Sequence, residues 1–265
     1  MTVGKEDRKT KPAGRKPRRA QLCDPEFRAR YPRDTKDAKI KRRSHQAKGE
    51  HNMATLRICF VGDSITVGSG DTDFLGWPGR ACIAETQRGH DVTLYNNGVR
   101  GDTTDMIAPR WRRECEVRLP DHVNGHLVFS FGVNDMAEEV GAGIRVPIEK
   151  SVVNARAILT EATAWRPTLM LGPIPTIDDM QPYIFPNGIA YHFESERAGA
   201  LNTAYAELCG ELGIPYLDLF SALSDNADWA RHQRDCDGVH AVGEGYAIIA
   251  DALTSSDGWR SWFAD

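Results

Sequence analysis

Ser64 comes directly after Gly62-Asp63 and the apolar, β-rich run 56–61. A serine at the carboxyl end of a strand, with a glycine two positions earlier to permit a tight turn, stands where a nucleophile belongs. The same residue type also caps helices and fills turns, and Thr66 takes the segment Gly62-Asp63-Ser64-Ile65-Thr66 outside the G-x-S-x-G elbow. Asp63 is expected to steady the turn through backbone N–H groups rather than to react. His240 is the second reactive candidate. It follows Asp237-Gly238-Val239, a spacing at which one loop can present both groups, the carboxylate holding Nδ1–H while Nε2 faces outward as a base. Asp235 is the alternative carboxylate, five positions from His240 and reached by a less direct backbone path. Of the other histidines, His45 and His51 lie in the first 52 residues, and His90, His122 and His126 flank elements as turn or solvated residues do. His192 and His232 have no assigned part.

Two further loops could supply donors to a developing oxyanion. Asn97-Gly98-Val99-Arg100-Gly101-Asp102-Thr103-Thr104 leads into a helix capped by Asp102 or Thr103, and either Gly98 or Gly101 could serve the turn or offer its N–H to an anion. Gly132-Val133-Asn134-Asp135 places Asn134, with its side-chain N–H₂ donors, at another strand exit. An asparagine there is ordinarily a turn former, so its meaning depends on what lies beside it.

The elements decide that question. Short β-rich runs at 56–61, 91–96, 126–131, 168–172 and 214–218 alternate with helical patterns at 77–88, 103–117, 147–164, 194–212 and 243–253. Such alternation predicts an α/β fold, a five-stranded parallel sheet covered by helices on both faces in a flavodoxin-like three-layer α/β/α arrangement. Right-handed crossovers give the strand order 2-1-3-4-5, with the switch point between strands 1 and 3. The residues after Val61 and after Phe131 then sit side by side at the carboxyl edge, which brings Asn134 toward Ser64.

Composition sets the outer bounds. The 265 residues suit one α/β domain, 53–265, preceded by a basic extension, 1–52. Those first 52 residues hold 17 Lys and Arg against 7 Asp and Glu, and the rest hold 16 against 30, so a net +10 precedes a net −14. With few aliphatic residues and Pro12, Pro17, Pro25 and Pro32, the extension is expected to be disordered. Its basic clusters could serve as a nucleic-acid arm; the plainer readings are a solvated tail or a start codon upstream of Met53. The acidic domain and the absence of an aromatic-basic stacking motif argue against nucleic acid as a partner. Apolar runs fall far short of the ~20 residues a bilayer requires, and no secretory signal is visible, so a cytoplasmic protein without membrane attachment is expected. Cys23, Cys59, Cys82, Cys115, Cys209 and Cys236 contain no C-x-x-C pair, which indicates neither a disulfide framework nor a zinc site.

Taken together, Gly62-Asp63-Ser64-Ile65, the loop 97–104, Gly132-Val133-Asn134-Asp135 and Asp237-Gly238-Val239-His240 resemble the blocks of the GDSL/SGNH hydrolase family over residues 56–253. Ile65 replaces the leucine of the family name with similar volume. The resemblance implies a serine esterase with a Ser64, His240 and Asp237 triad and an oxyanion hole from Ser64, Gly101 and Asn134. Gly101 rather than Gly98 matches the family's G-D-T context. It also implies a small-molecule ester substrate and neither metal nor organic cofactor. The long connection 173–193 carries Tyr183 and Phe185, expected to form an acyl wall together with 136–146 and to favour short to medium acyl esters. Its apolar groups, with Trp259, Trp262 and Phe263, could instead cover the sheet edge or meet a second subunit in a homo-oligomer. Carbohydrate acetylesterase, thioesterase and lysophospholipase activities stay open, because a triad does not encode its leaving group.

Overall fold

A computed structural model of the chain describes residues 53–185 and 188–264. The expected extension 1–52 lies outside the described residues. In chain order the strands are β1 (Thr55–Gly62), β2 (Asp91–Gly98), β3 (Gly125–Ser130), β4 (Glu138–Glu139), β5 (Gly143–Ile144), β6 (Thr168–Leu171), β7 (Tyr183–Ile184), β8 (Ala190–His192) and β9 (Tyr216–Leu217). The helices are α1 (Ser64–Val67), α2 (Gly76–Gln87), α3 (Thr104–Ile107), α4 (Trp111–Glu116), α5 (Ile148–Trp165), α6 (Ser195–Leu212), α7 (Leu219–Ser224), α8 (Ala227–Arg234), α9 (Gly243–Ser255) and α10 (Asp257–Arg260).

The main sheet is parallel, five-stranded and ordered β2-β1-β3-β6-β9, as the alternation of strands and helices predicts. Side chains alternate across it. Ile58 and Phe60 of β1 and Val128 of β3 join Trp77 of α2 and Tyr246, Ile249 and Leu253 of α9 in one core. Cys59, Val61, Leu127 and Phe129 point the other way, onto Trp111, Ile158, Leu159 and Leu201 of α4, α5 and α6. Burial on both faces explains why β1 and β3 read as continuous apolar runs. Gly62 is level with Gly98 on one side and with Ser130 on the other. The chain therefore leaves three adjacent strands on one rung, at the switch point where open α/β sheets bind ligands.

Two expectations need correction. The helix expected at 103–117 is two pieces, α3 and α4, because Pro109 supplies no N–H and cannot continue the turn. His126, read as a turn or solvated residue, is buried on β3 against Trp262, with ring centroids 4.5 Å apart, and burial holds its pKa down at about 4. Of the C-terminal aromatics, Trp259 and Phe263 are buried in the first core, and Trp259 stacks toward Phe60 at 6.2 Å. The connection 173–193 assembles with 136–146, as expected from the sequence. Its β7 and β8 pair with β4 and β5 of 136–146 in a small antiparallel sheet ordered β5-β4-β8-β7. Among the described residues no helix is long and apolar enough to cross a membrane.

Candidate active site

Ser64 opens α1, immediately beyond the last residue of β1 and its N-cap, Asp63, whose Oδ1 accepts the Ile65 N–H at 2.9 Å. Gly62 serves this turn by absence of bulk rather than by an unusual backbone angle. A Cβ at that position would lie 2.0 Å from the Ser130 carbonyl oxygen, so no other residue lets β1 and β3 end so close together. The histidine loop follows α8. Asp237 Oδ1 accepts the backbone N–H groups of Val239 and His240 at 3.0 and 2.7 Å, which folds the loop back on itself. Gln233 anchors it by donating to the carbonyls of Pro175 and Val239. The remaining carboxylate oxygen of Asp237 is 2.7 Å from His240 Nδ1, and His240 Nε2 is 2.7 Å from Ser64 Oγ. Burial pushes the Asp237 carboxyl up, but the imidazole and the two backbone N–H groups outweigh it and hold it below the usual carboxylate range. Asp235 is exposed at the end of α8 and makes no contact with His240 among the described residues.

Three candidate donors, on Ser64, Gly101 and Asn134, line the pocket over Ser64. The N–H groups of Ser64 and Gly101 donate to no other described residue, whereas the Gly98 N–H is taken by Asn96 Oδ1 at 3.0 Å. Gly101 holds φ at +79°, a left-handed turn suited to glycine. Asn134 donates one amide hydrogen to Asp63 Oδ2 at 3.1 Å, which aims the amide and leaves its second hydrogen free. Asp63 is thus bonded on both oxygens inside the protein, and burial above all pushes its pKa up to about 6.

Sequence reasoning missed the residues that hold this geometry. Asp135, fully buried, accepts from the Thr104 N–H at 2.8 Å, the Thr104 hydroxyl at 2.6 Å and the Ser151 hydroxyl. It thereby does the capping expected of Asp102 or Thr103 and ties the start of α3 to the exit of β3. Asp102 instead pairs with Arg110, whose guanidinium also donates to the carbonyls of Asn97 and Gly62 and so clamps the ends of β1 and β2. Arg145 donates to the Gly101 carbonyl at 2.9 Å. Only the D-T pairing of Asp135 with Thr104 lies near the quoted blocks; Arg110 and Arg145 carry no local signal.

A pocket of about 480 Å³, open to solvent, lies over Ser64 and is lined by Gly101, Asn134, His240, Tyr183, Phe185 and Phe193 among others. Tyr183 and Phe185 meet edge to face at 4.7 Å, and Phe185 meets Tyr191 at 5.5 Å, so the small sheet presents an aromatic wall to the serine. The structure thus brings Ser64, Asp237 and His240 into one hydrogen-bonded row and lines one pocket with Ser64, His240, Gly101, Asn134, Tyr183 and Phe185, whereas the alternatives Gly98 and Asp235 do not line it.

A model of the GDSL-like Lipase/Acylhydrolase family matches residues 60–248. No curated protein matches the sequence. Among solved structures, a lipase/acylhydrolase from Enterococcus faecalis is 20% identical, with a TM-score of 0.64 over 78% of this chain and 97% of its own. A catalytic mutant of an acetylxylan esterase from Geobacillus stearothermophilus is 15% identical, with a TM-score of 0.59 over 78% of this chain and 98% of its own. A psychrotrophic esterase from Pseudoalteromonas sp. is 18% identical, with a TM-score of 0.55 over 78% and 97%. At these identities the likeness is one of fold.

Proposed function

The chain belongs to the GDSL-like lipase/acylhydrolase family, and with it to the carboxylic ester hydrolases, and from that premise we propose that Ser64 is its nucleophile, His240 its base and Asp237 the acid that orients the base. The observation that carries this reading is the contact of His240 Nε2 with Ser64 Oγ at 2.7 Å, across 176 residues of sequence, with Asp237 on the opposite ring nitrogen.

In the proposed cycle His240 takes the Ser64 proton as Oγ attacks the ester carbonyl. Negative charge develops on the carbonyl oxygen, where the N–H groups of Ser64 and Gly101 and the free hydrogen of Asn134 receive it. His240 then hands its proton to the departing alcohol, leaving an acyl-serine. Water enters, His240 deprotonates it as it attacks the acyl carbon, and the second tetrahedral intermediate collapses as His240 returns the proton to Ser64 Oγ, releasing the acid and restoring the serine. Asp237 stays ionised throughout, in line with its lowered pKa, and fixes the ring so that Nε2 faces the serine.

For the acyl group we assign the aromatic wall of Tyr183 and Phe185, which shelters a few methylenes, each contributing roughly 0.8 kcal/mol when buried. Short to medium acyl esters of soluble alcohols follow as the substrates. The test is turnover of 4-nitrophenyl acetate and butyrate by the wild type and by Ser64→Ala. Substitution should lower kcat by about 10⁶ with the melting temperature little changed. A folded Ser64→Ala protein that keeps most of its activity would show that the serine is not the nucleophile.

A further inference from the structure

Beside the donors for the oxyanion lies a second pocket, of about 470 Å³, lined by Gly101, Asn134, Arg145, Phe185, Ile189 and Tyr191. Its cation, Arg145, forms no ion pair among the described residues, although its charge reaches the buried Asp135 carboxyl, whose oxygens are bonded to Thr104 and Ser151. The neighbouring acidic residues are engaged elsewhere: Asp102 with Arg110, Asp105 with Lys150, and Glu138 within reach of Arg197. Arg145 meets no carboxylate among the described residues, nor does Arg100, which precedes Gly101 and lines the first pocket. The Arg145 guanidinium is nonetheless held. One nitrogen donates to the Gly101 carbonyl at 2.9 Å, another leans toward the Asn134 carbonyl at 3.5 Å, and the group stands 5.0 Å from the Tyr191 ring centre. Two backbone contacts and one ring fix the fork while leaving N–H groups without an acceptor among the described residues. Asp63, the nearest acid of the first pocket, is turned inward onto Ile65 and Asn134.

An unpaired, pre-oriented arginine between aromatic walls, in a domain whose residues 53–265 carry a net −14, is arranged to receive an anion. We propose that Arg145, assisted by Arg100, forms an anion subsite, and that the preferred substrates are esters whose acyl part carries a carboxylate. The acyl side follows from the chemistry: the two pockets share Gly101, Asn134 and Phe185, the donors and the acyl wall, so the second continues from the acyl carbon, while the departing alcohol must lie within reach of His240, which does not line the second. The subsite deepens the esterase reading and rests on it for the word substrate, but the binding of an anion there can be measured without turnover.

The test compares monoethyl succinate with its neutral isostere ethyl succinamate, water releasing ethanol from each. The wild type should favour the anion by about tenfold or more in kcat/KM, the scale of one charge-assisted hydrogen bond. Arg145→Gln should bring the ratio close to one and Arg145→Lys should keep part of it. Because Arg145 also holds the Gly101 carbonyl, Arg145→Gln is expected to slow both esters, and the ratio isolates the subsite from that positioning effect. Arg100→Gln, at an exposed side chain, should reduce the ratio in a protein whose folding is not in question. Calorimetry on Ser64→Ala supplies the measurement independent of catalysis: monoethyl succinate should bind more tightly than ethyl succinamate, and Arg145→Gln in that background should abolish the difference. If neither ester is turned over but this binding difference appears, the esterase reading falls and the subsite stands. If both esters are hydrolysed and bound alike, or the substitutions scale both equally, the subsite is overturned and the esterase reading is untouched.

Discussion

Asp63 keeps a carboxyl group where the fold disfavours its charge. Burial raises its pKa from 3.8 to about 6 against the opposing pull of the Ile65 N–H, His240 and the Asn134 amide. An acid whose folded pKa lies above its unfolded value binds its proton more tightly in the native state. The fold therefore loses stability as pH rises from about 4 to about 6, and the cost is complete above that, at most roughly 3 kcal/mol for a shift of this size. Asp63→Asn removes the titration. Relative to wild type the variant should gain stability across that interval, read from melting temperatures at pH 4 and pH 8; a difference independent of pH would show that the carboxyl titrates normally. Its kcat should nevertheless fall, by roughly tenfold or more, because asparagine cannot accept from both Ile65 and Asn134 and so ceases to aim the donor. The other acid to test is Asp237. Asp237→Asn should cost about 10⁴ in kcat, since an amide beside Nδ1 favours the wrong tautomer, whereas Asp235→Asn should cost little. Reversal of the two effects would transfer the orienting role to Asp235.

At the scale of elements, what was legible in the sequence is what short-range pattern determines. β1 and β3 are apolar runs bounded by turn residues, and once they are adjacent the common rung of Gly62, Gly98 and Ser130 delivers three loops to one edge. Ser64, Gly101 and Asn134 were readable for that reason, and Asp237 with His240 because three positions of one loop join them. The helices α7 and α8 went unread although their starts are signalled: Asp218 caps Ser221 and Asn226 caps Trp229. The small sheet left no such signal. β4 and β5 are two residues each, β4 is Glu138–Glu139, and their order depends on pairing with β8 half a hundred residues on, which local periodicity cannot encode. Arg145 and Asp135 were illegible on the same ground, because their partners Gly101, Thr104 and Ser151 come from other segments. The sheet also carries its own prediction. Phe185 bridges Tyr183 and Tyr191, so Phe185→Ala opens the aromatic wall at its centre. On octanoyl esters kcat/KM should fall roughly tenfold or more, as expected for several methylenes losing cover, with acetyl esters little affected. Equal losses on both would mean that the wall does not hold the acyl chain.

At the scale of the whole molecule the question is what residues 53–265 need from the 52 that precede them. The described residues bury both faces of the main sheet themselves, the first face closed by α2, α9 and the C-terminal Trp259 and Phe263, the second by α4, α5 and α6. Every residue assigned to catalysis, to the donor set and to the acyl wall lies within that part. The described residues engage the core from near their start: Ala54 donates its N–H to His90 and is partly buried against the first core, and Thr55 begins β1. The basic extension differs in composition, rich in Lys, Arg and Pro and poor in the aliphatic residues that would offset the entropy of ordering it. A chain beginning at residue 52 should therefore match the full chain in melting temperature to within a degree or two, about what 0.5 kcal/mol shifts for a domain of this size, and should show the same kcat on 4-nitrophenyl acetate. Removal of four further residues, through Thr55, should by contrast lower the melting temperature by several degrees, since it takes the His90 contact and the first rung of β1 with it. A large fall on the first deletion would place part of the extension in the core, and an unchanged melting temperature on the second would place the domain boundary further along the chain.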